Sequence, residues 1–299
     1  MMKAKLFQVF GLGQCSLDYI GKIESYPQPD SKCEFTDLVV QGGGPVATAL
    51  VALSRWDVSC TFGGVVGDDV FGSKIKSSLE EEGVDTGGLL VRKGFESQFA
   101  FILAEPGVGR RTVFWRRPTG PPPGVEEINY KVLRQAKVFH TDGLFAEASV
   151  AACKSASEAG VTVVVDAGSM RDGMIEIARY SDYFLASSTF ADAFAGKNQP
   201  LKACYKLAEL GPRVVAVTMG EKGYIALHEN KVIEKPAYPA NAMDTTGCGD
   251  VFHAGFIFGL LKKWPVEKCL DFAAWAAAMV STKMGGRSGI PNVEQWEKR

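Results

Sequence analysis

The chain carries, at positions 244–252, the stretch Asp244-Thr245-Thr246-Gly247-Cys248-Gly249-Asp250-Val251-Phe252. It is a glycine-rich turn that runs directly into an apolar helix predicted over residues 251–261. Gly247 and Gly249 let the backbone turn tightly, so that consecutive N–H groups can point outward at the start of this helix. Such a turn binds anions, because its donors are otherwise unpaired and the helix dipole adds positive potential.

Asp250 is predicted to lie in the first turn of that helix, where the same field keeps a carboxylate ionised. A carboxylate in this place can accept a proton from a hydroxyl group while the turn stabilises charge on a transferring phosphoryl group. An aspartate that only caps a helix after a flexible turn has the same spacing. From the spacing alone, both interpretations stay open.

The composition limits the class of protein. The chain has 299 residues, of which 46% are hydrophobic and 22% charged, as in a soluble globular protein with one large α/β domain or two smaller ones. The net charge of −1 argues against a broad nucleic-acid-binding face. The longest apolar stretches, 254–261 and 272–280, are shorter than the roughly 20 residues that span a bilayer. The apolar residues 6–12 are interpreted as a first strand and not as a signal peptide.

The seven cysteines are scattered and form no C-x-x-C pair, and the three histidines are isolated. A disulfide framework and a zinc site are therefore not expected. This use of cysteine is typical of a reducing compartment, so a cytoplasmic location is predicted.

The chain alternates short buried strands with helices, most clearly after residue 130. Residues 161–165 and 214–218 are predicted strands, residues 201–210 a helix, and a further helix is predicted from Pro265 to Gly285. Before residue 130, helices are predicted over 45–56 and 71–82, with a strand over 61–66 between them. This alternation favours a parallel sheet with helices on both faces. The extended segments 18–40 and 98–116 do not fit it and are predicted to form a small antiparallel sheet.

The stretch 244–252 resembles the C-terminal signature of the ribokinase-like (PfkB) sugar kinases, D-T-x-G-A-G-D-x-F, with Cys248 in place of the alanine. Residues 42–49 are similar to the Gly-Gly motif that precedes a helix in that family. Residues 67–72 are similar to its G-D-D-x-F-G motif, and residues 217–223 to its T-x-G-x-x-G nucleotide turn. The four motifs occur in family order over essentially the whole chain.

The resemblance implies an α/β ribokinase-like fold of three layers, with a mostly parallel central sheet and a small β-sheet lid. Residues 1–299 would form a single kinase domain, with the lid made of segments at about 14–40 and 95–117. In this family the lid covers the sugar and often joins two subunits, so a homodimer through the lid is expected.

The resemblance also implies an ATP-dependent kinase that transfers the γ-phosphate to a hydroxyl group, expected to be a primary one, of a sugar or sugar derivative. Asp250 would be the general base, and the amides of Gly247, Cys248 and Gly249 would bind the phosphoryl group. ATP would enter with Mg²⁺. A monovalent cation such as K⁺ would lie near Asp244 and Gly285.

Further positions are assigned to the two substrates. The residues expected to bind the sugar are Asp18, Lys32, Gly43, Gly44, Thr48 and Arg111. Those expected to bind the nucleotide are Ser187, Thr218, Gly220, Gly223 and Ala277. Strand alternation places Arg111 and Arg117 on one face of the lid, where they could meet an anionic sugar. A solvated strand face is the alternative for both arginines, and an ordinary surface position is the alternative for Lys32.

Three positions depart from the family pattern. Thr48 replaces the asparagine that follows the Gly-Gly motif, and the segment 274–277 lacks an asparagine that the family often has beside the adenine. In the N-x-x-E motif, Ser187 replaces the asparagine and Phe190 the glutamate, which leaves the Mg²⁺ ligands unknown. The motif at 42–49 combined with residues 285–291 is most similar to a sulfofructose-kinase-type branch.

Two other functions stay open from the sequence. A nucleoside kinase would have the same fold and signature. A catalytically silent sugar- or nucleotide-binding regulator would explain the altered N-x-x-E motif, although Asp250 is retained. An NAD-dependent oxidoreductase is a more distant alternative.

Overall fold

A computed structural model describes residues 6–105 and 110–298. The strands are β1 (Val9–Leu12), β2 (Ser16–Lys22), β3 (Asp37–Gly43), β4 (Cys60–Gly67), β5 (Asp85–Arg92), β6 (Phe99–Glu105), β7 (Arg110–Arg116), β8 (Val138–Thr141), β9 (Thr162–Ala167), β10 (Tyr183–Ser187), β11 (Val214–Thr218), β12 (Tyr224–His228) and β13 (Lys231–Lys235). The helices are α1 (Pro45–Arg55), α2 (Val70–Glu81), α3 (Tyr130–Leu133), α4 (Ala146–Glu158), α5 (Met174–Arg179), α6 (Ser188–Ala195), α7 (Pro200–Ala208), α8 (Cys248–Leu261), α9 (Val266–Val280) and α10 (Val293–Glu297).

The main sheet has nine strands in the order β13-β12-β11-β10-β9-β8-β1-β4-β5. Its strands pair in parallel from β5 to β11, and β12 and β13 add an antiparallel edge. The central strands are continuous apolar runs because both of their faces are covered by helices. The predicted mostly parallel sheet is confirmed.

Two hydrophobic clusters lie on opposite faces of this sheet. One contains residues of α1, α8 and α9, such as Leu50, Phe256 and Phe272, and the other contains residues of α4, α5 and α7, such as Cys153, Ile177 and Leu207. The arrangement of helix, sheet and helix confirms the predicted three layers. In the part of the chain that the structure describes, no helix is long and apolar enough to cross a membrane.

The second sheet has four strands in the order β3-β2-β6-β7 and is built from the two segments that the sequence set apart. The expectation that it is antiparallel is wrong for its central pair, because β2 and β6 run parallel. A hairpin connection would force antiparallel pairing, but the chain passes through α1, β4, α2 and β5 between these two strands. We call this second sheet the lid sheet.

Helix α9 ends at Val280, five residues before the predicted end at Gly285. The carbonyl oxygen of Ser281 accepts hydrogen bonds from the amides of Met243 and Asp244, so the chain leaves the helix to hold the segment before α8. Helix α8 begins at Cys248, earlier than the predicted residue 251, so the glycine-rich turn is itself part of the helix start.

Candidate active site

The candidate site lies where the parallel strands end. Asp142 follows β8 directly, Asp166 lies near the end of β9, and Thr218 ends β11. Helix α8 begins at the same edge with Gly249 and Asp250. Ligands of open α/β sheets bind at this edge, because the strand ends and helix starts meet there.

The turn before α8 presents free backbone donors. Gly247 caps the helix with a left-handed φ of 78°, and a Cβ there would collide with the backbone of Gly286. The amides of Gly247 and Gly249 have no hydrogen-bond acceptor within residues 6–105 and 110–298. The Cys248 amide makes a long bond of 3.4 Å to the Thr245 carbonyl. Two of the three predicted anion-binding amides are thus unpaired, and the third is weakly paired.

Asp244 is buried and fastens this turn to the following loop. One of its carboxylate oxygens accepts from the Thr246 amide at 2.8 Å and from the Thr246 hydroxyl at 2.7 Å. The other accepts from the Gly285 amide at 2.8 Å. The structure therefore brings Asp244 and Gly285 together, but as a carboxylate and an amide donor. No group of three His, Cys, Asp or Glu side chains suited to a metal occurs among the described residues.

Asp250 lies in the first turn of α8 with its carboxyl group in an unusual electrostatic setting. Burial and the negative charge of Asp166 raise the pKa of Asp250 from 3.8 to about 7. The positive charges of His253 and Arg111 act in the opposite direction, and Asp18 adds to the increase. A carboxylate with a pKa near 7 is suited to take up a proton at neutral pH.

His253 lies one helical turn after Asp250 and is buried. Its Nδ1 atom is 2.6 Å from the Gly249 carbonyl oxygen, and its Nε2 atom is 3.2 Å from the Leu185 carbonyl oxygen. Nδ1 is also 3.5 Å from a carboxylate oxygen of Asp166. The ring of His140 stacks on that of His253 with 5.9 Å between centroids.

The predicted sugar side contains Asp18 in β2 and the glycines before α1. Asp18 is buried, accepts a hydrogen bond from the Ser16 hydroxyl at 2.6 Å, and lies over Gly43 so closely that a Cβ there would collide with its carboxylate. Burial is the main cause that raises the pKa of Asp18. Gly44 packs against the backbone of Gln14. Thr48 is buried in α1, 2% exposed.

The arginines of the lid sheet follow the predicted alternation. Arg111 donates to the Thr245 hydroxyl at 2.9 Å, which places a lid residue against the signature turn. Arg117 donates to the Gln14 side chain at 2.9 Å, whereas Arg116 pairs with Glu96 at 2.6 Å. Lys32 is exposed in the segment between β2 and β3, so its predicted contact with the sugar stays a prediction.

The predicted nucleotide residues converge on one cavity of about 450 Å³. Thr218, Gly220, Gly223 and Ala277 line it, and Cys248 and Gly249 of the signature turn lie at the same wall. Small side chains of α9 form another part of the wall, namely Ala274, Ala277 and Ala278. The cavity therefore joins the nucleotide residues to the free amides of the turn.

Ser187 does not line this cavity. Its hydroxyl donates to the Gly168 carbonyl at 2.8 Å and accepts from the Phe190 amide at 3.0 Å, which caps α6. Phe190 is fully buried and packs on Phe184. This loop offers no carboxylate, so it does not fit the magnesium-binding role implied by the family's N-x-x-E motif.

The sequence reasoning missed several charged groups of the site. Asp142 and Asp166 were not singled out, although Asp166 ends the predicted strand 161–165, where site residues are expected, and Asp142 follows β8, which was not predicted. Arg171, which donates to the Asp142 carbonyl at 3.0 Å, lies in a loop without any sequence signal. His253 lies three residues after Asp250, a spacing that puts both side chains on one helix face, but a histidine in such a place is more often simply packed.

The comparisons with known proteins agree with this geometry. The sequence profile of the pfkB family carbohydrate kinases matches residues 7–293. An ATP-dependent ribose-1-phosphate kinase of Halopiger xanaduensis is 27% identical over 95% of both chains. Fructokinase-2 of Oryza sativa subsp. japonica is 26% identical over 95% of this chain and 91% of that one. A ribokinase of Arabidopsis thaliana, solved with ribose and ATP, superposes with a TM-score of 0.84 at 22% identity, covering 98% of each chain.

The family match over residues 7–293 thus defines a phosphotransferase that uses a hydroxyl group as acceptor. The chain belongs to the pfkB family of carbohydrate kinases. The sulfofructose-kinase-type branch within that family stays a prediction.

Proposed function

We propose that the protein is an ATP-dependent kinase that phosphorylates a hydroxyl group of a sugar or sugar derivative. One observation carries the proposal: Cys248 and Gly249 of the signature turn line the nucleotide cavity, the amides of Gly247 and Gly249 are free, and Asp250 follows directly in the first turn of α8. A base and a set of unpaired donors at one point are what phosphoryl transfer requires.

The proposed reaction has one chemical step. Asp250 accepts the proton of the sugar hydroxyl, whose oxygen forms a bond to the γ-phosphorus of ATP, while the bond to the β–γ bridging oxygen breaks and ADP leaves. The amides of Gly247 and Gly249 stabilise the negative charge on the transferring group. Asp18 holds sugar hydroxyls as an acceptor, and Gly43 leaves it the room to do so.

Mg²⁺ bound to the phosphates would neutralise part of their charge. Residues 187–190 do not supply its ligands, as described above, so we assign none. A monovalent cation such as K⁺ beside Asp244 and Gly285 is part of the proposal. It would have to take further oxygen ligands from backbone carbonyls, because Asp244 already accepts three hydrogen bonds.

The test is ADP release from MgATP across a panel of neutral sugars, sugar acids, sugar phosphates, sulfonated sugars and nucleosides. Turnover on one class, reduced about 10³-fold in Asp250→Asn, supports the kinase with Asp250 as base. A nucleoside as the only acceptor would replace the sugar kinase by a nucleoside kinase. ATP binding without any turnover would favour the silent regulator.

We further propose an anionic sugar as the preferred substrate, supported by unpaired arginines. Arg117 donates a hydrogen bond to the Gln14 side chain, and Arg171 donates one to the Asp142 carbonyl oxygen. Neither arginine forms an ion pair within the described residues. Burial and the nearby charge of Arg171 lower the pKa of Arg117. The carboxyl group of Asp142 acts in the opposite direction, but two guanidinium groups beside one carboxyl group still leave positive charge that an anionic sugar would offset. A curated relative named for ribose 1-phosphate, itself an anionic sugar, is in keeping with this proposal.

Arg117→Gln tests this substrate class, with Arg116→Gln as the matched control because Arg116 lies on the other face of β7 and pairs with Glu96. We expect KM for the anionic sugar to rise about tenfold or more in Arg117→Gln and to stay unchanged in the control. Equal effects of the two variants would contradict the proposal.

Two further parts of the proposal are a cytoplasmic location, which suits seven free cysteines, and a homodimer through the lid sheet.

A further inference from the structure

His253 is held between two groups that can only accept hydrogen bonds. Its Nδ1 atom faces the Gly249 carbonyl oxygen at 2.6 Å, and its Nε2 atom faces the Leu185 carbonyl oxygen at 3.2 Å. A neutral imidazole has a proton on only one nitrogen, so one of these contacts would then join two acceptors. Both contacts are hydrogen bonds only when the ring carries two protons and a positive charge.

A negative partner for this charge is present. A carboxylate oxygen of Asp166 in β9 lies 3.5 Å from Nδ1 of His253, and both side chains are buried. The stacked ring of His140 has a different environment. Its Nδ1 atom contacts the Val164 carbonyl oxygen at 3.0 Å, and its Nε2 atom has no partner among the described residues. Burial and the charge of His253 lower the pKa of His140 to about 4, so His140 stays neutral.

We propose that the ion pair of His253 with Asp166 is a positioning device for the phosphoryl-transfer turn. The protonated His253 ties the first turn of α8, through Gly249, to β10, through Leu185, and keeps a fixed positive charge behind Asp250. This inference rests on the proposed function only in taking Asp250 as the base.

Several charged groups around Asp250 change its pKa, and comparing them shows what the charge of His253 contributes. From β9 the negative charge of Asp166 raises the pKa of Asp250, and from β2 that of Asp18 does the same. From the lid sheet, Arg111 lowers it, but Arg111 is an exposed side chain whose charge is screened by salt. From β8, His140 is neutral. Among the groups that act on Asp250, His253 is therefore the buried cation that favours the ionised carboxylate.

A second consequence concerns the geometry of the anion-binding turn. The Gly249 amide is one of the free donors, and the carbonyl of the same residue is bonded to His253. Holding that carbonyl against β10 fixes the orientation of the following peptide units. Preorganised donors stabilise a transition state better than donors that must reorient.

The first experiment needs no substrate. The protonation of His253 is read from ¹⁵N-histidine spectra of the wild-type protein at pH 7, with His253→Gln used to assign the signal. We expect both ring nitrogens of His253 to be protonated and His140 to show one protonated nitrogen. A His253 ring with a single proton at pH 7 would overturn the proposal, and this holds even where the variant folds poorly.

The second experiment follows the ¹³C carboxyl signal of Asp250 as the pH is changed, assigned with Asp250→Asn. In His253→Gln the midpoint of the Asp250 titration should rise by at least half a pH unit, because a positive charge is lost. The control is His228→Gln, since His228 ends β12 and pairs with Lys231 of the edge strand β13, so it should leave the midpoint unchanged. An unchanged midpoint in His253→Gln would contradict the proposal, because it is the result expected for a histidine with only a structural role.

Activity measurements distinguish a failure of this inference from a failure of the proposed function. Where the acceptor panel gives turnover, His253→Gln should lower kcat several-fold at pH 6.5 and less at pH 8.5, with KM for ATP nearly unchanged. If Asp250→Asn keeps wild-type activity, Asp250 is not the base and the proposed mechanism fails. The ¹⁵N and ¹³C results are unaffected by that outcome and judge the ion pair separately.

Discussion

The carboxyl group of Asp250 combines its proposed catalytic role with a cost to the folded state. Burial and the charge of Asp166 raise its pKa from 3.8 to about 7. A raised pKa means that the folded protein holds the proton more tightly than the unfolded chain. The tighter proton binding of Asp250 therefore stabilises the folded state fully below pH 3.8, and this stabilisation is lost as the pH rises through about 7.

The variant Asp250→Asn should for this reason be more stable than the wild type above neutral pH. One pKa unit corresponds to about 1.4 kcal/mol, and the partly open site reduces the full effect, so we expect a gain of about 1–3 kcal/mol at pH 8. At pH 4 the gain should vanish. Urea unfolding at both pH values measures it. A variant that is equally or less stable at pH 8 would show that the pKa of Asp250 is not raised.

The two glycines of the turn should respond differently to a methyl group. At Gly247, the φ of 78° and the backbone of Gly286 exclude a Cβ, so Gly247→Ala should lower Tm by several degrees. At Gly249 a Cβ would meet open space at the cavity wall, so Gly249→Ala should keep Tm. The methyl would then occupy the place of the phosphoryl group, and kcat should fall about tenfold or more. Unchanged kcat in a folded Gly249→Ala would remove Gly249 from the phosphoryl-binding turn.

A local motif in the sequence predicts which residues stand together, although their roles stay proposals. Asp250, Gly247 and Gly249 lie within four consecutive positions, and their relation follows from the start of one helix. Asp166 and Leu185 reach His253 from strands that are far away in the chain, so no local spacing reveals them. The charge state of His253 depends on those distant carbonyl and carboxylate groups.

At the scale of secondary structure elements, the turn before α8 depends on Asp244. The Asp244 side chain is buried and accepts three hydrogen bonds, two from Thr246 within the turn and one from Gly285 in the loop after α9. Because a removed carboxylate leaves buried donors unpaired, Asp244→Ala should lower the free energy of unfolding by about 2–4 kcal/mol.

The control for this variant is Asp37→Ala, because Asp37 is exposed and accepts one bond from the Leu38 amide. Chemical unfolding in KCl and in NaCl separates two roles of Asp244. Equal losses in both salts indicate a hydrogen-bonding role only. A wild-type protein that is more stable in KCl, with this difference absent in Asp244→Ala, supports the proposed cation. A loss no larger than that of Asp37→Ala would contradict both roles.

The elements themselves show what local pattern can and cannot predict. Strand β11 occupies the predicted residues 214–218, and α1 begins at Pro45 as predicted, because a proline in the first turn and an apolar stripe are local signals. The end of α9 was placed too late, since it is set by the bonds from Met243 and Asp244 to Ser281. Likewise, the parallel pairing of β2 with β6 follows from the path of the chain through the main sheet.

At the scale of the whole molecule, the alternation of strands and helices was enough to predict three layers. It did not predict which face of the lid sheet is covered. Ile20, Ala100, Ile102 and Ala104 on one face are buried with Met284. The other face carries a row of apolar residues across the strands, and four of its side chains are 46–50% exposed, namely Leu38, Val40, Phe101 and Phe114.

This exposed row is the physical basis of the proposed homodimer. Tyr19 pairs with Val40 on one side and with Phe101 on the other, and Phe101 pairs with Phe114, so the row is continuous over all four strands. Continuous apolar surface of this kind is unfavourable in water, and a second copy of the same face would cover it. The wild-type protein should therefore sediment at twice the chain mass of 32.2 kDa.

The double variant Phe101→Asp with Phe114→Asp places like charges opposite each other across such an interface and should sediment as a monomer. Val232→Asp is the control, because Val232 is 43% exposed on the far edge strand β13 and lies outside the lid sheet. Its mass should equal that of the wild type. A monomeric wild type, or a double variant that keeps the wild-type mass, would show that the lid sheet does not join two subunits, and the apolar row would then need another partner.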